Sequence, residues 1–121
     1  MLKKLLVLKL EHNKLDGPIP SSLGRLTSLT KLCLNSKQMN SSIPLEMGNM
    51  KDLKLLSLKY NKLIGLIPSP LGHLTNLTKL DLDSNQMNNS VPPEIGNMKS
   101  LNYLYHSNNS IAGKILQLYV I

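Results

Sequence analysis

Proline and glycine return at a fixed interval along this chain, and that interval restricts its fold more than any other feature. Pro20, Pro44, Pro68 and Pro92 stand 24 residues apart, and so do Gly24, Gly48, Gly72 and Gly96. Cut at that period, residues 5–28 read LLVLKLEHNKLDGPIPSSLGRLTS and 29–52 read LTKLCLNSKQMNSSIPLEMGNMKD. Residues 53–76 read LKLLSLKYNKLIGLIPSPLGHLTN and 77–100 read LTKLDLDSNQMNNSVPPEIGNMKS. A broken fifth copy, LNYLYHSNNSIAGKILQLYVI, fills 101–121, and residues 1–4 take the last places of a unit preceding the first. Self-similarity at such a period is the mark of a stacked repeat array, so all 121 residues are read as one domain. A longer period overlies the short one. The second and fourth copies differ at eight of their 24 places and the first and third at ten, which reads as a duplicated pair of units.

The repeat settles the opening stretch, MLKKLLVLKL. Alone it could begin a signal peptide or form one face of a short helix. Leu5, Leu8 and Leu10, however, occupy the places of Leu29, Leu32 and Leu34, and of Leu77, Leu80 and Leu82. Lys9 interrupts the apolar run and no small-residue cleavage site follows, so the stretch is expected to be a repeat strand.

Within a unit, leucines at the fourth and sixth places alternate with polar residues, the pattern of a short strand with one face inward. The eleventh, fifteenth, nineteenth and twenty-second places are also aliphatic or Met. One unit cannot bury enough surface alone to offset its ordering entropy; stacking on neighbours is required. The ninth place is Asn13, Asn61, Asn85 and Asn109, with Lys37 the exception. An amide there can satisfy backbone groups where the strand bends, and lysine, which accepts no hydrogen bond, should leave the second unit looser. Gly17, Gly65 and Gly113 at the thirteenth place, with Ser41 and Asn89 between, suit an unusual backbone angle. The Ile-Pro or Val-Pro step favours extended chain.

Composition agrees with a layered aliphatic core. The chain is 41% hydrophobic but 3% aromatic, with no Phe or Trp. Its formal charge of +7 is carried by lysines distributed over several places of the unit, with one arginine, Arg25. A nucleic-acid interface concentrates such charge on one face and interleaves aromatics, so no nucleic-acid partner is expected. No stretch approaches the ~20 apolar residues of a membrane helix, so direct insertion by this segment is not expected either. Cys33 is the sole cysteine, and His12, His73 and His106 fall at three different places of the unit. Neither a disulfide nor a metal cluster assembles from these, and no cofactor is expected. Met39, Met47, Met50, Met87 and Met98 replace consensus leucines and are assigned to the core.

The pattern LxxLxLxxNxLxGxIPxxLGxLxx, carried from Leu2 to about Ile115, resembles the plant-specific leucine-rich repeat of receptor-like kinase and receptor-like protein ectodomains. The resemblance implies an α/β repeat solenoid. It would be a horseshoe of 24-residue units with a parallel β-sheet on the concave face and 3₁₀ turns and loops on the convex face, mostly β and coil. It implies recognition of a peptide or protein ligand, or of another leucine-rich-repeat receptor, on the concave and lateral surfaces at the outer side of the plasma membrane. Two alternatives stand beside this: a soluble inhibitor-type binder without a kinase, and a truncated fragment with no independent function. The paired-cysteine cap, membrane helix and kinase motifs of the family do not occur in these residues, so the chain reads as an internal ectodomain segment without enzymatic activity of its own. Its uncovered first and last coils should favour end-to-end association.

Residues expected to face outward from the strands are the candidate ligand contacts: Lys9, Glu11, Lys31, Leu55, Lys59, Tyr60, Asp81, Asp83, Tyr103 and Tyr105. Tyr60, Tyr103, Tyr105 and Leu55 are the expected anchors, since aromatic and apolar side chains supply contact area at low entropy cost. Asp81 and Asp83 point the same way along one strand, but Lys59 on the neighbouring strand should pair with Asp83 in an ordinary surface ion pair rather than leave a catalytic carboxylate dyad. Cys33 and His12 are about three places out of step, too far apart for a nucleophile and its base. Asn40, Asn76, Asn88 and Asn108 begin glycosylation sequons.

Overall fold

The computed structural model describes residues 5–11, 14–36, 38–87 and 91–106. Each unit contributes one three-residue strand to a single parallel sheet: β1 (Val7–Lys9), β3 (Lys31–Cys33), β5 (Leu55–Ser57), β7 (Lys79–Asp81) and β9 (Tyr103–Tyr105), in that spatial order. Register follows the repeat, since Leu8 lies beside Leu32, Leu32 beside Leu56, Leu56 beside Leu80 and Leu80 beside Leu104. Identical spacing in sequence thus becomes a column of identical side chains in space. Leu32, Leu34, Leu56, Leu58, Leu80 and Leu82 are all buried, none more than 2% exposed. The five methionines assigned to the core are buried among them.

Two-residue strands form a second set of pairs beside the main sheet. β2 (Gly17–Pro18) pairs with β4 (Met39–Asn40), and β6 (Ile64–Gly65) with β8 (Gln86–Met87), again in parallel. The special backbone angle expected at the thirteenth place is present: φ is +78° at Gly17, +83° at Gly65 and +63° at Ser41. Gly113 and Asn89 lie outside the described residues. Behind the sheet, 3₁₀ turns span Ser21–Arg25, Leu45–Asn49, Ser69–His73 and Pro93–Asn97. Each is preceded by the proline of the Ile-Pro or Val-Pro step in extended conformation, which stops the strand and aims the chain into the turn.

The asparagine expectation holds where it can be read. Asn61 Nδ2 donates to the carbonyls of Leu34 (2.7 Å) and Leu58 (3.0 Å), while its Oδ1 accepts the Met39 N–H (3.2 Å). Asn85 repeats the arrangement one coil on, donating to Leu58 and Leu82 and accepting from the Leu63 N–H. Asn13, Asn109 and Lys37, with the looseness expected there, lie outside the described residues. Beside Lys37, the Ser36 hydroxyl stands 3.0 Å from the Leu15 carbonyl and 2.9 Å from Asn61 Oδ1, bridging the first and third coils where the second carries lysine at its ninth place.

Three of the period-marking glycines at the twentieth place, Gly24, Gly48 and Gly72, have a packing reason. A Cβ built on Gly48 would lie 2.5 Å from the Pro70 carbonyl oxygen and 2.8 Å from the Pro70 Cβ. On Gly72 it would lie 2.6 Å from the Glu94 carbonyl oxygen, and on Gly24 it would overlap that of Glu46. Neighbouring turns therefore stack backbone on backbone. Gly48→Ala should cost about 1–3 kcal/mol by forcing those turns apart, measured by chemical denaturation; an unchanged midpoint would contradict the close approach.

Candidate functional site

The short strands end early, and this shapes the candidate surface. Only the third to fifth places of each unit are in the main sheet, so Lys31, Leu55, Lys79 and Tyr103 form one outward row and Lys9, Cys33, Ser57, Asp81 and Tyr105 the next. The seventh-place residues Glu11, Asn35, Lys59 and Asp83 flank them just past the strand ends. The sheet thus brings nine of the ten candidate contacts into one strip. Tyr60 lies at the eighth place, beyond the strand, and enters it from the side.

Outward orientation does not make every residue accessible. Cys33, Ser57 and Asp81 are each only 6% exposed, and Asn35 is 7%. They form a floor below the longer side chains. Glu11 Oε2 accepts from Asn35 Nδ2 (3.1 Å), and Asn35 Oδ1 accepts from the Ser57 hydroxyl (3.1 Å), a chain of contacts across three strands. Asn35 and Ser57 were not expected to act together. Their places, two apart on adjacent units, are the signal that could have shown it. A hollow of about 230 Å³ opens above this floor, bordered by Lys9, Lys31, Lys59, Lys79 and Leu55.

The expected ion pair is corrected by the structure. Lys59 Nζ lies 4.0 Å from Asp81 Oδ2, so Lys59 pairs with the buried carboxylate of the adjoining strand instead of Asp83. The Asp83 N–H donates to Asp81 Oδ1 (3.2 Å). Burial raises the Asp81 carboxyl above the usual range; the backbone N–H of Asp83 draws it down, and the Asp83 charge pushes it up further. The Cys33 thiol is likewise raised, first by burial and then by Glu11, against the lowering influence of Lys9, Lys31 and Lys59. A buried thiol so shifted is a poor nucleophile. His12, its supposed counterpart, lies outside the described residues. Among the described residues no group of three or more His, Cys, Asp or Glu side chains is placed to hold a metal.

Asp81 carries a sign-definite prediction. Its folded-state pKa lies above its ordinary value, so the native state binds the proton more tightly than the unfolded chain and ionisation works against folding. Its contribution is therefore favourable in acid and is lost as pH rises through the folded pKa. Asp81→Asn should be more stable than the parent at neutral pH, by up to about 1 kcal/mol. The difference should shrink as pH falls and vanish once both states are protonated, below the ordinary carboxylate range, at about pH 3. Melting curves at both pH values check this; a less stable variant at neutral pH would contradict it.

Two of the three described tyrosines sit at one end of the strip, and Tyr60 lies beside its middle strand. Tyr103 and Tyr105 project from β9 with rings 6.0 Å apart and 2° from parallel, 46% and 39% exposed. Lys79 stands 5.4 Å from the Tyr105 ring centre, and Lys59 5.5 Å from that of Tyr60. Tyr60 is half exposed and has φ of +58°, as does Ser84 (+61°) at the same place of the next unit. A bulky residue in that region is strained. The conformation is held because the Tyr60 N–H donates to the Asp83 carbonyl (3.0 Å). The repeat pattern alone carried no signal for it. Of the sequons, Asn40 and Asn76 are exposed; Asn88 and Asn108 lie outside the described residues.

These features match a known class. The leucine-rich repeat family model matches residues 4–26, 52–74 and 76–98, and the chain belongs to that family. Its solved neighbours are plant receptor ectodomains. The structure of PEPR1 with AtPEP1 is 42% identical over 93% of this chain, with a TM-score of 0.87. The HAESA ectodomain of Arabidopsis, in complex with an N-terminally extended IDA peptide hormone, is 38% identical over 97% with a TM-score of 0.88. The plant peptide hormone receptor RGFR1, in complex with RGF2, is 39% identical over 88% with a TM-score of 0.86. The chain spans only 16%, 20% and 17% of those three chains respectively. No curated protein matches it significantly. The repeats thus resemble those of plant leucine-rich-repeat receptor ectodomains. No helix among the described residues is long and apolar enough to cross a membrane.

Proposed function

We propose that this chain is a recognition segment of a plant receptor-like kinase ectodomain, binding an extended peptide or a protein partner, another leucine-rich-repeat receptor included, along its concave strip. It would work on the extracellular side of the plasma membrane, and any kinase activity would belong to a domain outside these residues. The observation that carries the reading is the strip itself: five in-register strands with Tyr103 and Tyr105 exposed on the last and Tyr60 exposed beside the middle one, next to lysines and over a floor joined by internal hydrogen bonds. Likeness to ectodomains solved with peptide hormones supports it. An extended ligand suits the surface, because adjacent strands are about 4.8 Å apart and a peptide laid across them, rising about 3.4 Å per residue, meets a new unit every one to two residues.

The test is to pan a short-peptide display library against the chain and map the selected binders. Tyr60→Gly is the informative variant. It removes the ring yet relieves the positive φ, so folding stability should hold or rise. Binding should nevertheless weaken by roughly tenfold. Recovery of no peptide, or of binders indifferent to Tyr60, Tyr103 and Tyr105, would overturn the proposal.

A further inference from the structure

The charges of the strip are sorted by row. The row that opens the strands reads Val7, Lys31, Leu55, Lys79, Tyr103, with two cations and no acid. Two acids line the hollow as well, Asp81 in the second row against Lys59 and Glu11 at its far edge against Asn35, while Asp83 stands past the strand ends. Lys31 and Lys79 flank Leu55 from either side, their backbones two strand spacings or about 10 Å apart. Both line the hollow, and so does half-buried Leu55 between them. Lys31 has only Val7 and Leu55 as row neighbours, which leave its charge unbalanced there. Lys79 is steadied by the Tyr105 ring, a contact that holds an ammonium in place without neutralising it.

From this arrangement we infer that the Lys31–Leu55–Lys79 rim is the seat for an acidic side chain of the bound peptide, an aspartate or glutamate. Its carboxylate lies between the two ammonium groups and its methylene carbons rest on Leu55. Two four-carbon lysine stems one strand to either side can converge on one carboxylate, giving two charge-assisted hydrogen bonds. The opposite edge, with Glu11 and Asp83, repels the same group. The rim therefore sets which way a peptide lies across the strands as well as which peptide binds. Ser57 on the floor contributes no competing proton, since its hydroxyl already donates to Asn35.

This inference rests on reading the strip as a peptide site, and the experiment separates the two. The panning is repeated with C-terminally amidated peptides, so that only side chains can supply a carboxylate; a free-acid arm runs in parallel. The expected result is an Asp or Glu recurring at one position of the selected peptides. Affinity should fall roughly tenfold when Lys31→Gln and Lys79→Gln are combined. It should be unaffected by Lys51→Gln with Lys99→Gln, and it should weaken with added salt. Lys31, Lys51 and Lys99 are exposed and Lys79 is half-exposed with its ammonium over the Tyr105 ring, so each double variant should melt within a few degrees of the parent. Tyr-dependent binders with no acidic position and no response to Lys31 and Lys79 would overturn this inference and leave the peptide-site reading standing. Binding confined to the free-acid arm would overturn it in favour of a terminal carboxylate. Failure to recover any peptide would overturn both.

Discussion

Asn61→Leu should destabilise the chain by about 3–5 kcal/mol, more than its near-isosteric size suggests. The substitution fits the volume but strands three polar groups. The carbonyls of Leu34 and Leu58 lose the Asn61 amide, and the Met39 N–H loses its acceptor. Asn61 itself is 6% exposed, so little water is at hand to replace it. An unsatisfied buried group costs about 1–3 kcal/mol each. Asn85 also reaches the Leu58 carbonyl, which softens one of the three losses. Urea denaturation measures the effect. A loss under about 1 kcal/mol, the net value of one ordinary hydrogen bond, would mean that the amide column decorates the fold instead of holding it.

The second large effect lies in the leucine column. Leu58→Ala should cost about 2–5 kcal/mol, the range for truncating a fully buried leucine. Leu58 has no measurable exposure and lies in the continuous core. Its coil is clamped on both sides, through the N–H of Leu58 to the Asp81 carbonyl and that of Leu34 to the Ser57 carbonyl. Such clamping leaves little freedom to collapse into the cavity, which favours the upper part of the range. Calorimetry or denaturant titration would check it. A cost below about 1 kcal/mol, typical of surface substitutions, would place Leu58 outside a packed core.

Both effects are larger than those expected at the surface, and this separates what holds the molecule from what it presents. Leu58 and Asn61 sit at consensus places, whereas Lys31, Leu55, Tyr60 and Lys79 occupy variable places of the same units. Substitutions in the second group can alter recognition while the solenoid stays intact.

The repeat determined most of the architecture by itself. A 24-residue period with leucines alternating through a short strand leaves one way to bury every unit, and equal spacing then sets register, sheet order and core together. The positive φ at Gly17 and Gly65 was also legible, because it depends on chemistry local to one unit, and so was the amide at the ninth place, although Leu34 and Met39, which Asn61 joins, lie on the preceding coil. What only the tertiary structure decided involves contact between units. The sequence placed Asp81 on an open face, but Asp81 is 6% exposed because longer side chains from adjoining strands close over it, and that burial raises its carboxyl. Lys59 turned to Asp81 and not to Asp83, a choice between two carboxylates that depends on side-chain reach across strands. The lateral strand pairs, the strain at Tyr60 and the stacking behind Gly48 arise the same way, from how closely one coil approaches the next. Periodicity says which residues share a column. The distance between columns, a property of the packed array, decides which of them water and a ligand can reach.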